Sequence, residues 1–191
     1  MFVCRNCDSR NCLPLYADLP DRFYGLPGRF SYVRCADCGL AQIEESPANL
    51  AEFYSGYRLH SQDSPLYALF RKVFIGHCYL MLKPAGALLD IGCGNGWYLK
   101  AMQRRGWRGS GFEFDEAYAQ ELSTALGLPV SAQEEDLTRH FESFDLVTFN
   151  FSFEHLAEPV RFLELVAKCL RRGGRIYLSV PNIESKEAAF F

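Results

Sequence analysis

The chain has 191 residues, of which 49% are apolar or aromatic, and a formal net charge of −3. That length admits one medium domain with a small appendage, the apolar share supplies a sizeable core, and the charge gives no global attraction to nucleic acid. No uncharged apolar run reaches membrane-spanning length, Met1-Phe2-Val3 leads into Cys4 and Arg5 without the pattern of a secretory leader, and eight cysteines in such a chain point to metal or free thiols in a reducing, cytoplasmic setting.

Cysteines organise the first segment, residues 1–45. Cys4-Arg5-Asn6-Cys7 and Cys35-Ala36-Asp37-Cys38 are two C-x-x-C pairs, the second followed by Gly39. Each such turn sets two sulfurs on one side of an ion, and two turns close a tetrahedral shell of thiolates, the set zinc prefers. With Cys4, Cys7, Cys35 and Cys38 as ligands no position is left for water, so the expected site is structural, and ligation contributes on the order of 10 kcal/mol to folding a segment too small for its own core. Cys12 is a fifth thiol nearby, read as a spare that could displace one of the four. Leu19 to Phe30 is rich in turn formers and reads as a long loop, with strands at 31–34 and 40–43 flanking the second pair. Arg5, Arg10, Arg22, Arg29 and Arg34 are dispersed among acids, so nucleic acid is not an expected partner.

A domain boundary is placed near residue 46. Pro47 behind Ser46, with Leu50, Phe53 and Tyr54 at helical spacing, opens a first connector helix. Ser64-Pro65 opens a second, with Leu66, Leu69, Phe70, Val73 and Phe74 on one face, and Pro84 and Gly86 close it. His77 and Cys78 lie about 100° apart on that helix, which suits packing rather than metal binding.

From Ala87 the chain alternates. Strands are read at 87–91, 109–114, 129–132, 144–150 and 174–180, and helices at 96–105, 115–126 and 158–171. Strand–helix alternation predicts right-handed crossovers, a Rossmann-like parallel α/β sheet with helices on both faces, and a ligand site at the carboxyl ends of the strands. Asp90 to Gly96, Glu113, the segment after Ala132, and Asn150 onward all reach that rim.

The richest motif is Leu88-Leu89-Asp90-Ile91-Gly92-Cys93-Gly94-Asn95-Gly96-Trp97, followed by Gly111-Phe112-Glu113. A dinucleotide site usually carries a glycine where Trp97 stands. The Asp-Ile-Gly-Cys-Gly-Asn-Gly run instead resembles motif I of the class I S-adenosylmethionine-dependent methyltransferases. Phe144 to Asn150 with Glu154-His155 after it, Arg171-Arg172-Gly173-Gly174, and Val180-Pro181-Asn182 continue the likeness; the family's usual Lys-Pro before the double glycine is here Arg-Arg, which keeps positive charge at a helix end.

The resemblance implies S-adenosylmethionine as cofactor. Asp90, Gly92, Cys93, Gly94, Asn95, Gly96 and Asn150 would surround its amino-acid end, Glu113 would accept the ribose hydroxyls, Phe114 would pack on the adenine, and Glu134 would accept the adenine amine. Tyr54, Tyr57 and Tyr67 on the connector helices would either line the site or, as an aromatic stripe at helical spacing, pack in the core. His155 is the candidate general base, with Glu154 beside it. Phe151 stands where some relatives carry a metal-binding acid, so a catalytic metal is not expected. The front segment, with its Leu-Pro and Gly-Leu-Pro-Gly-Arg-Phe between the cysteine pairs, resembles bacterial methyltransferases of sugar, glycan and secondary-metabolite pathways, which implies a small-molecule acceptor such as a nucleotide-linked sugar. That fold has seven strands, and the five read before Phe191 make this chain an incomplete version of it. The competing reading is a non-catalytic zinc-containing binding module with a vestigial cofactor site. Oligomeric state is not legible in the sequence.

Overall fold

The computed structural model of the chain describes residues 2–21, 27–45, 69, 73 and 84–185. Apart from Leu69 and Val73, both helical and exposed, the two connector helices lie outside the described residues, as do the expected boundary near 46, Tyr54, Tyr57, Tyr67, His77 and Cys78. Two compact units emerge, one containing the front segment and the other the sheet that follows.

The front unit holds an antiparallel sheet of strands β1 (Cys12–Pro20), β2 (Arg29–Cys35) and β3 (Ala41–Ile43) in that order. β1 was not read from the sequence, and it shortens the expected Leu19–Phe30 loop from both ends. Among the described residues Phe2, Cys4, Val33 and Cys35 make a core of four buried residues, which cannot by itself supply much stability. The two cysteine turns are built alike. Asp8 N–H donates to Cys4 C=O at 3.0 Å and Gly39 N–H donates to Cys35 C=O at 3.0 Å. Asp8 (φ 56°) and Gly39 (φ 80°) take the left-handed conformation that closes each turn, which glycine adopts freely and aspartate tolerates.

The second unit is a five-stranded sheet: β4 (Ala87–Ile91), β5 (Arg108–Phe112), β6 (Val130–Ser131), β7 (Phe144–Asn150) and β8 (Leu170–Ser179). Their order is β6-β5-β4-β7-β8, and every pairing is parallel. Helices α1 (Trp97–Gln103), α2 (Glu116–Leu126), α3 (Glu134–Thr138) and α4 (Pro159–Cys169) lie between the strands. β4 is buried at all five positions, as a central strand covered on both faces should be. On one face Leu88 and Leu146 pack with Tyr98, Leu99 and Met102 of α1 and Leu122 of α2. On the other, Leu89, Ile91, Val147 and Phe149 pack with Phe162, Val166 and Cys169 of α4. Each such fully buried side chain contributes about 1.5–3 kcal/mol.

Two readings need correction. The acidic run after β6 is a short helix, α3, where no helix was read from the sequence. The helix read to residue 171 ends at Cys169, and Leu170 already pairs with Phe144. Arg171 therefore lies in β8, where its Nη1 meets both oxygens of Asp145 at 3.2 and 3.3 Å; it does not cap a helix.

The sheet order reverses between β4 and β7: from β4 the chain proceeds outward to β5 and β6, then returns to the other side. Loops leaving β4 and β7 must diverge there, which opens a crevice at their carboxyl ends.

Candidate functional site

The crevice is built on Asp90, 2% exposed near the end of β4. Its partners come from the register: Asp90 lies opposite Thr148, two residues before Asn150. Thr148 Oγ1 donates to Asp90 Oδ1 at 2.6 Å and Asn150 Nδ2 donates to the same oxygen at 2.9 Å. Burial, opposed by these two donors and reinforced by the charge of Glu113, pushes the Asp90 carboxyl up to about 7. Asn150 Oδ1 is buried and has no donor among the described residues, an acceptor left unused in the crevice wall.

The glycine loop turns over this floor. Gly92, at φ 66°, passes so close to Ser152 that an added Cβ would stand 2.5 Å from the serine Cβ; Ser152 Oγ in turn donates to Ile91 C=O at 2.5 Å. At Gly94 (φ 54°) an added Cβ would meet nothing within 4 Å among the described residues.

The loop's N–H groups are largely committed within the protein. Gly92 and Cys93 donate to Phe112 C=O, Gly96 donates to Cys93 C=O, and Asn95 Oδ1 accepts from Trp97 N–H. The glycines thus allow close approach of backbone, while the Asn95 side chain serves the helix start. Cys93 is buried and would crowd any side chain at Gly111, so its thiol belongs to packing and not to a ligand contact.

Glu113 joins the loop to the end of β5. Its Oε2 accepts from Gly94 N–H at 2.9 Å and its Oε1 from Phe114 N–H at 2.9 Å. Burial, outweighing these two amides, raises its carboxyl above the usual range. A carboxylate has about four acceptor positions, so each oxygen keeps one for a hydroxyl. Phe114 is 49% exposed, its ring within 3.8 Å of the Cβ position at Gly92 and packed against Phe112 and Phe162. Asp90, the loop, Glu113, Phe114 and Asn150 are thereby brought into one crevice.

Glu134 is differently placed. It opens α3, and Arg161 of α4 grips both its oxygens at 2.8 and 2.9 Å. The expected acceptor for an adenine amine is an ion-paired carboxylate in a guanidinium fork. Glu154 and His155 sit in a 3-10 turn, Phe153–His155, directly after β7. Desolvation raises the Glu154 carboxyl and lowers the His155 imidazole.

Thr148, Ser152, Arg161 and Phe162 were not picked out as site residues. Thr148 alone carried a signal, as a polar residue in the apolar strand Leu146-Val147-Thr148-Phe149. A concavity of about 570 Å³ lies at the opposite, amino-terminal edge of the sheet, lined by residues including Ala87, Trp107, Arg108 and Phe144, and none of the expected site residues borders it.

In the front unit the four thiols of Cys4, Cys7, Cys35 and Cys38 lie within 4.8 Å of one another. Cys4 Sγ is 3.5 Å from Cys38 Sγ, and Cys7 Sγ is 3.7 Å from Cys35 Sγ. A tetrahedral zinc with Zn–S bonds of about 2.3 Å requires sulfurs about 3.8 Å apart, so the four fit the ion in number, chemistry and spacing. Hydrogen bonds from the Asn6 side chain and Leu40 N–H pull the Cys38 thiol down to about 6, toward the thiolate a metal requires.

This open parallel sheet and crevice define the architecture of the class I methyltransferases. Residues 67–189 match the family described as "Methyltransferase domain", and the chain belongs to it. It is 30% identical over 106 residues to the ubiquinone biosynthesis O-methyltransferase of Aeromonas salmonicida, covering 52% of this chain and 44% of that one. To the protein of the same name from Saccharophagus degradans it is 32% identical over 110 residues, covering 54% and 47%. The chain thus spans about half the length of these curated relatives. Among solved structures, the PH0226 protein of Pyrococcus horikoshii superposes with a TM-score of 0.59 at 18% identity, over 73% of this chain and 66% of that one. A SAM-dependent methyltransferase from Archaeoglobus fulgidus gives 0.51 at 23% identity, over 65% and 62%. These two likenesses establish the fold. No helix among the described residues is long and apolar enough to cross a membrane.

Proposed function

We propose that the chain binds S-adenosylmethionine in the β4–β7 crevice and transfers its methyl group to a small-molecule hydroxyl. The observation that carries this reading is the Glu113 carboxylate seated on the Gly94 amide. In a dinucleotide site the glycine loop receives an anionic pyrophosphate. Here a carboxylate is bonded to the loop, with a second, Asp90, buried beneath it. Two desolvated acids repel a pyrophosphate and favour a cationic ligand.

S-adenosylmethionine supplies a methyl group activated on a sulfonium. The chain's own residues supply alignment and proton handling. Asp90 and Asn150 Oδ1 would hold the ammonium, Glu113 the ribose hydroxyls, and the Phe114 ring the adenine face. His155, kept neutral at pH 7 by its lowered pKa, would take the proton from the acceptor hydroxyl. Glu134 would act through Arg161 by holding α3 to α4. The relatives' printed name supports oxygen as the methylated atom, and a nucleotide-linked sugar is the narrower acceptor class that the front segment's resemblance implies. Zinc in the four-thiolate site would be structural, because its shell is complete without substrate. Cysteines grouped to hold a metal suit a reducing cytoplasmic setting.

Calorimetric titration with S-adenosylmethionine and with NAD tests the cofactor, and transfer of labelled methyl to a panel of phenolic and sugar acceptors tests the activity. Binding of S-adenosylmethionine without transfer to any acceptor would favour the binding-module alternative. Binding of NAD alone would overturn the cofactor assignment.

A further inference from the structure

The front unit contains a fifth thiol whose position is set by strand register. Cys12 at the start of β1 pairs directly with Cys35, a member of the four-thiol cluster, at the end of β2. Ala36 N–H donates to Asn11 C=O at 3.0 Å. That bond flanks the Cys12–Cys35 pair, and it identifies the pair as the non-hydrogen-bonded kind. In such pairs the Cα atoms are about 4.5 Å apart and the side chains approach most closely, on the same face of the sheet. A disulfide accepts Cα separations of about 4.4–6.8 Å, so the pair can be bridged with little backbone movement. Accessibility is divided between the two: Cys12 is half-buried against the small core, whereas Cys35 is 1% exposed.

We propose that Cys12 and Cys35 form a reversible oxidation site, at which a hydroperoxide closes a cross-strand disulfide and withdraws Cys35 from the metal. The inference rests on the zinc reading for its consequence and on the strand register for its chemistry. The Cys12 thiolate attacks the peroxide; the O–O bond breaks, an alcohol or water leaves, and Cys12 becomes a sulfenic acid. The Cys35 thiolate then attacks the Cys12 sulfur, the S–O bond breaks, and the departing hydroxide takes a proton to become water. Two thiols are oxidised by two electrons, and one hydroperoxide is reduced. Zinc then keeps three thiolates, and the closed shell that holds the segment together is lost.

The test uses the full chain loaded with one equivalent of zinc and treated with stoichiometric hydrogen peroxide. Released metal is followed with a chromogenic chelator, and disulfides are mapped by tandem mass spectrometry. The expected result is one zinc released for each Cys12–Cys35 disulfide, with both changes reversed by thiol and added zinc. C12S and C12A should retain the same zinc content and release it at least tenfold more slowly. Release from both variants at the unmodified rate, or disulfides confined to Cys4, Cys7, Cys35 and Cys38, would overturn the proposal. A protein that holds no zinc yet forms the Cys12–Cys35 bridge would refute the metal reading and support the oxidation site, so the two failures are distinguishable.

Discussion

The Asp90 carboxyl gives a quantitative handle on the cofactor assignment. Its pKa stands near 7 because it is buried, with Thr148 and Asn150 as its donors and Glu113 as a neighbouring negative charge. An ammonium group in the crevice favours the ionised form, so binding should draw off the Asp90 proton. With a pKa of about 7, roughly 9% of the group is ionised at pH 6 and roughly 76% at pH 7.5. If only the ionised form binds, S-adenosylmethionine affinity should rise about eightfold over that interval, or about 1 kcal/mol. The range stops below the pKa of about 8 at which an α-amino group loses its own charge. Titration calorimetry in two buffers of different ionisation enthalpy should show a proton released on binding near pH 6. Asp90→Asn should bind more weakly at pH 7.5 and show a shallower slope than the unmodified protein. The same shift acts on folding with opposite sign. The folded protein holds this proton more tightly than the unfolded chain, whose aspartate titrates near 3.9, so stability should fall by on the order of 4 kcal/mol as pH rises from about 4 to about 7. A flat affinity profile, or an Asp90→Asn slope equal to that of the unmodified protein, would refute the placement of the ammonium.

Gly92→Ala should lose about 2–4 kcal/mol of stability in denaturant titration, combining a strained backbone with displacement of Ser152, whereas Gly94→Ala should lose only the strain, about 1–2 kcal/mol. Equal losses would contradict the close approach at Gly92. Glu113→Ala should weaken cofactor binding by about 1.5–3 kcal/mol, since it removes charged hydrogen bonds and frees the loop at Gly94. Arg161→Ala should cost at most about 1 kcal/mol of stability, because the fork with Glu134 is partly solvated; a loss above 2 kcal/mol would show that the pair does more than join two helices. Cys4→Ser or Cys38→Ser should abolish stoichiometric zinc in metal analysis and make the front segment sensitive to limited proteolysis, while β4 to β8 keep their circular dichroism.

The centre of the sheet was readable because β4 and most of β7 are buried on both faces and therefore appear as apolar runs, of which Leu88-Leu89 and Leu146-Val147 are the clearest. The cofactor-side residues were readable where backbone geometry demands a residue type, as at Gly92, or where a strand ends in an acid, as at Glu113. β1 was hidden because most of its positions are at least partly exposed, leaving no alternation of apolar and polar residues to detect. α3 was hidden because three consecutive acids carry no apolar period; Leu137 alone anchors it. Helix α4 was read too long because nothing in Leu170-Arg171-Arg172 breaks a helix locally. The parallel pairing of Leu170 with Phe144, a contact between distant residues, decides the matter. The Arg161–Glu134 fork likewise depends on how α4 packs, which no local pattern records.

Glu113 is at once a joist of the loop and a proposed handle for the ligand. Aspartate at that position would keep the charge but fall one methylene short of the Gly94 amide, so a substitution that looks mild on paper would slacken the whole turn. Glutamine would keep the reach but present an N–H where an oxygen is needed on one side. The position is therefore fastened twice over by requirements of different kinds, and drift there should be rarer than at a position that answers to packing alone.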